Sequence, residues 1–214
     1  MRPPLDLTLY LVTDTALCGG PAGVVTTVEA AVRGGVTCVQ LRDPAASDDD
    51  LVDLGRRLVR SLAPHGIPLI VNDRPHLVAP IGAQGAHLGQ SDGDVAAARA
   101  TIGPDALLGL SVQTPQMVEA ARPMGDAIDY LGVGPVWATP SKPDHAPPGG
   151  VRTAFEIASS SPWPCVLIGG IHPPLVHRLV GTGAAGIAVI SAICGTQDPE
   201  AAATQLRAAW EAPV

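Results

Sequence analysis

One pattern constrains this chain most: short apolar, β-branched runs alternate with Ala-, Leu- and Arg-rich segments of helical period, eight times over. Units of this kind, about 25 residues each, are typical of a parallel sheet covered by helices. Because eight units are the number that closes a barrel, we predict a (β/α)8 TIM barrel, an α/β fold forming one domain over residues 1–214. An open doubly wound sheet is the competing architecture. The lack of a G-x-G-x-x-G motif after the first strand disfavours it.

The element boundaries follow from the apolar runs and from the turn residues between them. Helix starts are marked by Ser47, by Thr114 before Pro115, and by Asp198 before Pro199. The predicted strands span 8–12, 38–42, 69–72, 85–88, 107–112, 130–136, 166–169 and 187–190. The predicted helices span 22–33, 48–63, 75–81, 94–102, 115–122, 153–160, 174–180 and 199–210.

Composition narrows the functional classes. Hydrophobic residues make up 46% of the chain and charged residues 15%, as in a globular protein. The net charge of −7 argues against nucleic-acid binding, because no basic stripe is present to neutralise phosphates. The four cysteines form no CxxC pair, and no apolar run approaches the roughly 18 residues of a membrane span. We therefore expect a reduced, cytoplasmic protein with no membrane association, and the sequence leaves its oligomeric state open.

Polar residues at the carboxyl ends of the strands are the candidates for a site, because TIM barrels carry their chemistry in the loops that follow. After the second strand, alternation places Gln40 and Arg42 on one face, and an arginine in a barrel mouth favours anion binding. The other candidates at strand ends are Asn72, Asp73, Asp92, Ser111, Thr139, Ser141, Lys142, Gly170, Ile190 and Ser191.

The loop after the sixth strand contains Lys142, the only lysine beside twelve arginines. Lysine is a compact point cation, whereas arginine presents a planar fork. A chain that uses arginine elsewhere and lysine here indicates a need for a point charge in this loop. Chance survival of one lysine on a solvated loop is an equal alternative, and composition does not decide between them.

Several strand-end residues have a purely structural alternative. Asp73 and Asp92 suit Mg²⁺, which takes one or two carboxylates together with substrate phosphates, but each also suits the N-cap of the following helix. Taken alone, capping is the favoured role. Glycines after the seventh strand either turn the chain or hold a phosphate on backbone N–H groups. His87, inside an apolar run, is typical of a satisfied core histidine, or of one that supports a neighbouring site residue, rather than of a catalyst.

Taken together, the strand-end segments resemble a known family. The segments QLRDP, VNDRPHL, GAHLGQSD, LGLSVQT, GVGPVWATPSK, IGGI and AVISAI occur in that family's order and at about its spacing. The chain resembles the thiamine phosphate synthases over nearly its whole length. This resemblance implies a transferase that joins 4-amino-2-methyl-5-hydroxymethylpyrimidine diphosphate to 4-methyl-5-hydroxyethylthiazole phosphate and releases pyrophosphate. The implied partners are these two small-molecule substrates, and the implied cofactor is Mg²⁺.

The resemblance also implies roles for individual residues. Gln40, Arg42, Asn72 and Lys142 would contact the pyrimidine diphosphate, and Asp73 and Asp92 would ligate the Mg²⁺ that bridges its phosphates. Ser111 would lie near the pyrimidine and the reacting methylene, so that Lys142, Arg42 and Ser111 are the expected catalytic residues. The thiazole phosphate would be held, largely through backbone N–H groups, by Thr139, Ser141, Gly170, Ile190 and Ser191.

Two positions depart from the family pattern. The family usually has a lysine where this chain has Pro44, which has no donor. Three interpretations stay open: Arg74 or another cation substitutes, the enzyme is weak, or the chain is a paralogue with drifted function. The family's histidine after the fifth strand is replaced by Gln113. A sister family, the thiazole tautomerases, uses that histidine and typically lacks the two aspartates, so the synthase is favoured. A non-catalytic barrel that binds thiazole phosphate is the third possibility.

Overall fold

The computed structural model of the chain describes residues 2–139, 141 and 147–212. Its eight parallel strands follow one another around a closed barrel, and the first strand pairs with the eighth. This closure confirms the predicted TIM barrel and excludes the open doubly wound sheet. The strands are β1 (Leu9–Val12), β2 (Cys38–Leu41), β3 (Leu69–Asn72), β4 (Gly85–Leu88), β5 (Leu107–Val112), β6 (Tyr130–Val133), β7 (Cys165–Ile168) and β8 (Gly186–Val189).

A helix follows each strand and covers the outside of the barrel. The helices are α1 (Pro21–Arg33), α2 (Asp48–Leu62), α3 (Val78–Ile81), α4 (Val95–Ile102), α5 (Pro115–Ala121), α6 (Gly150–Ser160), α7 (Pro173–Val176) and α8 (Pro199–Glu211). Short 3-10 segments lie at Ala63–His65, Pro75–Leu77 and Arg122–Ala127. Among the described residues, no helix has both the length and the apolar character that crossing a membrane requires.

The strand predicted over 130–136 ends earlier, at Val133. Pro135 has no N–H group, so it cannot continue the ladder of hydrogen bonds. The chain nevertheless stays beside β7, because the N–H groups of Val136 and Trp137 donate to the carbonyls of Ile168 (2.8 Å) and Gly169 (3.0 Å). The loop after β6 therefore starts at a fixed place on the rim of the barrel.

The predicted helix starts are confirmed by their capping hydrogen bonds. Side chains of Ser47, Thr114 and Asp198 accept from the backbone N–H three residues later, at 3.2, 3.3 and 2.9 Å. Helix α4 is capped in the same way by Asp94, whose carboxylate accepts from the N–H of Ala97 at 2.8 Å.

The strands pack through two faces. Outward side chains such as Leu9, Leu11 and Val39 join the large aliphatic core between barrel and helices. Inward side chains form a second, smaller cluster across the barrel axis: Leu7, Tyr10, Cys38, Ile70, Leu107, Tyr130, Val166 and Ala188. This inner cluster closes the barrel floor, so that the open space lies above it, at the carboxyl ends of the strands.

Candidate active site

A cavity of about 720 Å³ opens at the carboxyl ends of the strands, and residues from all eight strands or the loops after them line it. Lys142 lies outside the described residues. All the other predicted substrate-binding residues line this cavity: Gln40, Arg42, Asn72, Ser111, Thr139, Ser141, Gly170, Ile190 and Ser191. Residues separated by up to 151 positions in the sequence (40 to 191) thus meet in one place.

The electrostatics of the cavity differ from those of the whole chain. The chain has 20 acidic residues against 13 lysines and arginines, yet no described residue lining the cavity is acidic. The Arg42 guanidinium makes no hydrogen bond or ion pair with a described residue, while its backbone N–H donates to Oγ1 of Thr13 at 3.0 Å. An arginine held in a cavity without a carboxylate partner suits an anionic ligand.

Asp73 and Asp92 stand at the rim, beside cavity-lining residues but not among them. Neither caps a helix: Asp94 caps α4, and the 3-10 segment before α3 has Arg74 at its N-cap with no side-chain hydrogen bond. The favoured structural role from sequence was therefore wrong for both carboxylates. A side-chain amide hydrogen of Asn72 bonds to Oδ2 of Asp73 at 2.5 Å.

The backbone of Asp73 is unusual. Among the described residues it is the only non-glycine residue with positive φ, at 57°. Aspartate tolerates this left-handed region better than most residues, and such outliers concentrate at functional sites. Its N–H donates to the carbonyl of His87 at 2.8 Å, which fixes the end of β3 against β4.

The loops after β7 and β8 present backbone groups to the cavity. Gly169 and Gly170 have φ of 104° and 65°, and a Cβ on Gly170 would approach Trp137 and the Ala138 carbonyl to 2.8 Å. Here glycine is needed both for the left-handed backbone and for the close approach of the loop after β6.

After β8 the chain makes a tight turn. The N–H groups of Ile193 and Cys194 donate to the carbonyl of Ile190 at 3.1 and 2.8 Å. The N–H groups of Ser191 and Ala192 make no backbone hydrogen bond with a described residue, and both residues line the cavity. Unpaired amides at this place are suited to bind an anion.

Beneath the cavity a buried chain of hydrogen bonds crosses the barrel. Nε2 of Gln40 donates to the Tyr10 hydroxyl (2.9 Å), which bonds to the Tyr130 hydroxyl (2.9 Å). The Tyr130 hydroxyl lies 3.1 Å from Nδ1 of His87, and Nε2 of His87 lies 2.9 Å from Oγ of Ser111. Both ring nitrogens of His87 are thus engaged and the residue is 8% exposed, so it is a satisfied, buried histidine that contacts the site residue Ser111 from the edge of the cavity.

Sequence reasoning did not single out Tyr10, which lines the cavity floor, or Tyr130, which lies beside it in the inner cluster. They are the only two tyrosines of the chain, and burial raises the pKa of both phenols well above the ordinary value, so both are neutral. Their sequence signal is alternation: Tyr10 lies two residues before Val12, and Tyr130 two residues before Gly132, on inward-facing positions.

Comparison with known proteins then decides the family. The family described as thiamine monophosphate synthase matches residues 9–193. The chain belongs to the thiamine monophosphate synthase family. It is 48% identical over 209 residues to the thiamine-phosphate synthase of Xanthobacter autotrophicus, covering 98% of each chain. It is 45% identical over 201 residues to that of Albidiferax ferrireducens, covering 94% of this chain and 90% of the relative.

A solved structure supports the same assignment. The thiamine phosphate pyrophosphorylase from Pyrococcus furiosus matches with a TM-score of 0.86 and 31% identity, covering 96% of each chain. The 3-hexulose-6-phosphate synthase of Salmonella typhimurium, with a TM-score of 0.72 and 14% identity, shares the barrel fold alone. The resemblance seen in the strand-end segments is confirmed.

Pro44 departs from the thiamine monophosphate synthase pattern, and the structure shows where Arg74 lies relative to it. Arg74 does not supply the positive charge of the family lysine whose position Pro44 occupies. Its guanidinium donates instead to Asp48 (2.8 Å) and to the Ala46 carbonyl (2.9 Å). It braces the loop before α2 and does not line the cavity. Of the described lining residues, Arg42 is the only one with a permanent positive charge. Gln113, in place of the family histidine, lines the cavity.

Proposed function

We infer that the barrel mouth is where this transferase of thiamine biosynthesis joins hydroxymethylpyrimidine diphosphate to hydroxyethylthiazole phosphate, making thiamine phosphate and pyrophosphate. The observation that carries the inference is the shared cavity: residues expected for both substrates line one space of about 720 Å³. Two substrates that must react with each other need such a common site. We propose that one domain, residues 1–214, carries the whole activity.

On one side of the mouth we propose that Gln40, Arg42 and Asn72, together with Lys142, bind the pyrimidine diphosphate. They follow the adjacent strands β2 and β3, with Lys142 in the loop after β6. The absence of acidic residues from the described lining supports this, because a diphosphate would be repelled by a carboxylate at close range.

On the other side we propose that Thr139, Ser141, Gly170, Ile190 and Ser191 bind the thiazole phosphate. Positive-φ glycine after β7 and the unpaired amides after β8 support a phosphate site made mainly of backbone groups. This anchor would hold the thiazole ring at close range to the pyrimidine.

The chemistry of Asp73 and Asp92 fits a magnesium ion. They follow adjacent parallel strands, and neither is used as a helix cap. Mg²⁺ binds through one or two carboxylates together with waters and substrate phosphates, so it does not require the cluster of three ligating side chains that the described residues lack. We propose that these two aspartates hold Mg²⁺. When bound, the ion would supply positive charge to the diphosphate.

The reaction needs anion stabilisation more than a base. The bond between the pyrimidine methylene and the diphosphate oxygen breaks, and its electron pair leaves with pyrophosphate. The electron-rich aminopyrimidine stabilises the resulting cation, and the lone pair of the thiazole nitrogen forms the new bond. Arg42 and Lys142 would stabilise the leaving group, with Ser111 near the pyrimidine. Because no step removes a proton from carbon, a cavity lined by no described carboxylate is suited to it.

The decisive experiment measures pyrophosphate release from the purified protein. The synthase releases pyrophosphate only when Mg²⁺ and both substrates are present. A thiazole tautomerase would interconvert thiazole isomers without metal, and a non-catalytic binding protein would do neither. Either of these two results would overturn the proposal.

A further inference from the structure

Gln40 and Ser111, which we propose to contact the pyrimidine, are connected to each other inside the protein. The connection runs through Tyr10, Tyr130 and His87, with successive distances of 2.9, 2.9, 3.1 and 2.9 Å. Tyr10 and Tyr130 are 1% and 0% exposed, so bulk water does not compete for their hydroxyl groups.

The direction of this hydrogen-bond chain follows from the requirement that every buried hydroxyl hydrogen has an acceptor. At the contact between the two hydroxyl groups either oxygen could be the donor, but Tyr10 already accepts from Gln40, and Tyr130 is the acceptor that the described residues offer to its one buried hydrogen. By the same requirement Tyr130 gives its hydrogen to Nδ1 of His87, and this assigns the tautomer of the histidine. A neutral histidine then carries its proton on Nε2 and donates to Oγ of Ser111.

The two ends of the hydrogen-bond chain therefore present opposite groups to the cavity, a donor at one end and an acceptor at the other. Ser111 accepts from His87, and its own hydrogen remains available to a ligand in the cavity. Gln40 uses its amide nitrogen toward Tyr10, and its carbonyl oxygen remains available as an acceptor. A reversal at the Ser111 end alone would leave a buried hydroxyl hydrogen without an acceptor among the described residues.

We propose that Tyr10 and Tyr130 are positioning residues that fix this polarity, so that Gln40 accepts from the amino group of the pyrimidine and Ser111 donates to the ring nitrogen beside it. The inference rests on the proposed function. It also makes the site selective: a 4-oxopyrimidine presents a carbonyl and a ring N–H, which is the opposite pair of donor and acceptor. Such an analogue would be mismatched at both ends.

The neighbouring backbone leaves room for the hydrogen-bonded side chains. A Cβ on Gly109 would collide with the Tyr130 ring and with His87, and a Cβ on Gly132 would come within 3.0 Å of the His87 ring. Glycine at these two inward positions of β5 and β6 is therefore what admits the two rings. The tyrosine rings pack at a centroid distance of 6.0 Å, and those of His87 and Tyr130 at 5.5 Å.

The test uses the variants Tyr10→Phe and Tyr130→Phe and the double variant, which keep the rings and remove only the hydroxyl groups. We expect each single variant to raise the KM for the pyrimidine diphosphate roughly three- to tenfold, the size of one ordinary hydrogen bond. The KM for thiazole phosphate should stay unchanged. The preference for the aminopyrimidine over the 4-oxo diphosphate should fall by a similar factor, because the polarity is no longer fixed.

The double variant separates a relay from mere packing. Once one hydroxyl group is removed, the hydrogen bonds no longer fix the donor and acceptor roles at the two ends. Removing the second hydroxyl group should therefore cause no further loss, and the double variant should match the single ones. The control is Ile70→Val, a change of one methyl group in the same inner cluster with no hydrogen bond involved. It should lower the midpoint of thermal unfolding and leave the preference between the two diphosphates at the wild-type value.

Failure of the inference and failure of the proposed function give different results. Absence of pyrophosphate release from the wild type would overturn the proposed function. In that case the affinities of wild type and variants for the aminopyrimidine diphosphate and the 4-oxo diphosphate can still be measured by calorimetry and compared. Unchanged preference in both phenylalanine variants, or additive losses in the double variant, would overturn the relay.

Discussion

Oδ2 of Asp92 accepts a hydrogen bond from the backbone N–H of Gly89 at 3.0 Å and so closes the loop after β4 on itself. Two residues later, Asp94 performs the helix-capping role that was the main alternative for Asp92. The two carboxylates thus lie in one loop with different tasks, which makes them a matched pair for mutagenesis.

Asp92→Asn should raise the Mg²⁺ concentration needed for half-maximal activity by roughly tenfold or more, because a neutral amide is a poor ligand for a hard cation. Asparagine still accepts the Gly89 hydrogen bond, so the loop should persist. Asp94→Asn is the control, since asparagine caps helices as well as aspartate does. The measurement is the Mg²⁺ dependence of pyrophosphate release. Equal Mg²⁺ requirements in the two variants would remove Asp92 from the metal site.

Arg42→Ala should lower kcat/KM for the pyrimidine diphosphate by about ten- to a hundredfold, the range of one charge-assisted hydrogen bond. Nothing among the described residues neutralises this guanidinium, so its removal leaves no buried carboxylate unpaired and the fold should remain stable. Arg60→Ala on the exposed face of α2 serves as the control. Steady-state kinetics with both substrates varied would detect the difference, and equal effects of the two changes would contradict the prediction.

Gly170→Ala should raise the KM for thiazole phosphate roughly three- to tenfold, as expected for a displaced backbone hydrogen bond. The added Cβ meets Trp137 and the Ala138 carbonyl at 2.8 Å, which moves the loop after β6. Gly181→Ala is the control: its φ of 85° is similarly left-handed, and a Cβ there meets nothing within 4 Å. Both changes should lower the free energy of unfolding by about 1–2 kcal/mol, but only the first should affect the KM.

Lys142→Ala should lower kcat by about a hundredfold or more, the loss typical of removing one group that stabilises a transition-state charge. Because Lys142 is the only lysine, the variant contains none, and its circular dichroism and thermal unfolding should match the wild type. Lys142→Arg tests whether a point charge is specifically required. Wild-type turnover in the alanine variant would exclude the lysine from the mechanism.

Cys18 should be the thiol that iodoacetamide modifies first. A hydrogen bond from Cys194 lowers the pKa of Cys18 to about 6, so the Cys18 thiolate predominates at neutral pH. Burial raises the pKa of the Cys38 and Cys165 thiols, which keeps them protonated and unreactive. The modification rate at Cys18, followed by peptide mass spectrometry, should level off above about pH 7. Cys194→Ala should shift that profile to higher pH, and an unshifted profile would contradict the assigned cause.

The sequence by itself determined the barrel, its eight strands and the positions of the polar residues at strand ends. It did so because strand alternation, helical period and capping by Ser47, Thr114 and Asp198 are local properties, carried by residues within a few positions of one another. Cavity-lining residues such as Gln40 and Ser111 followed from the rule that parallel strands end at the same edge.

Only the tertiary structure decided which of these groups touch. It assigned the cap of α4 to Asp94 instead of Asp92, and it turned Arg74 away from the mouth to Asp48. It also joined Tyr10 to Tyr130 across the barrel, although 120 positions separate them. Contacts of this kind depend on the register and closure of strands that are distant in sequence, and no local pattern of residues encodes that geometry.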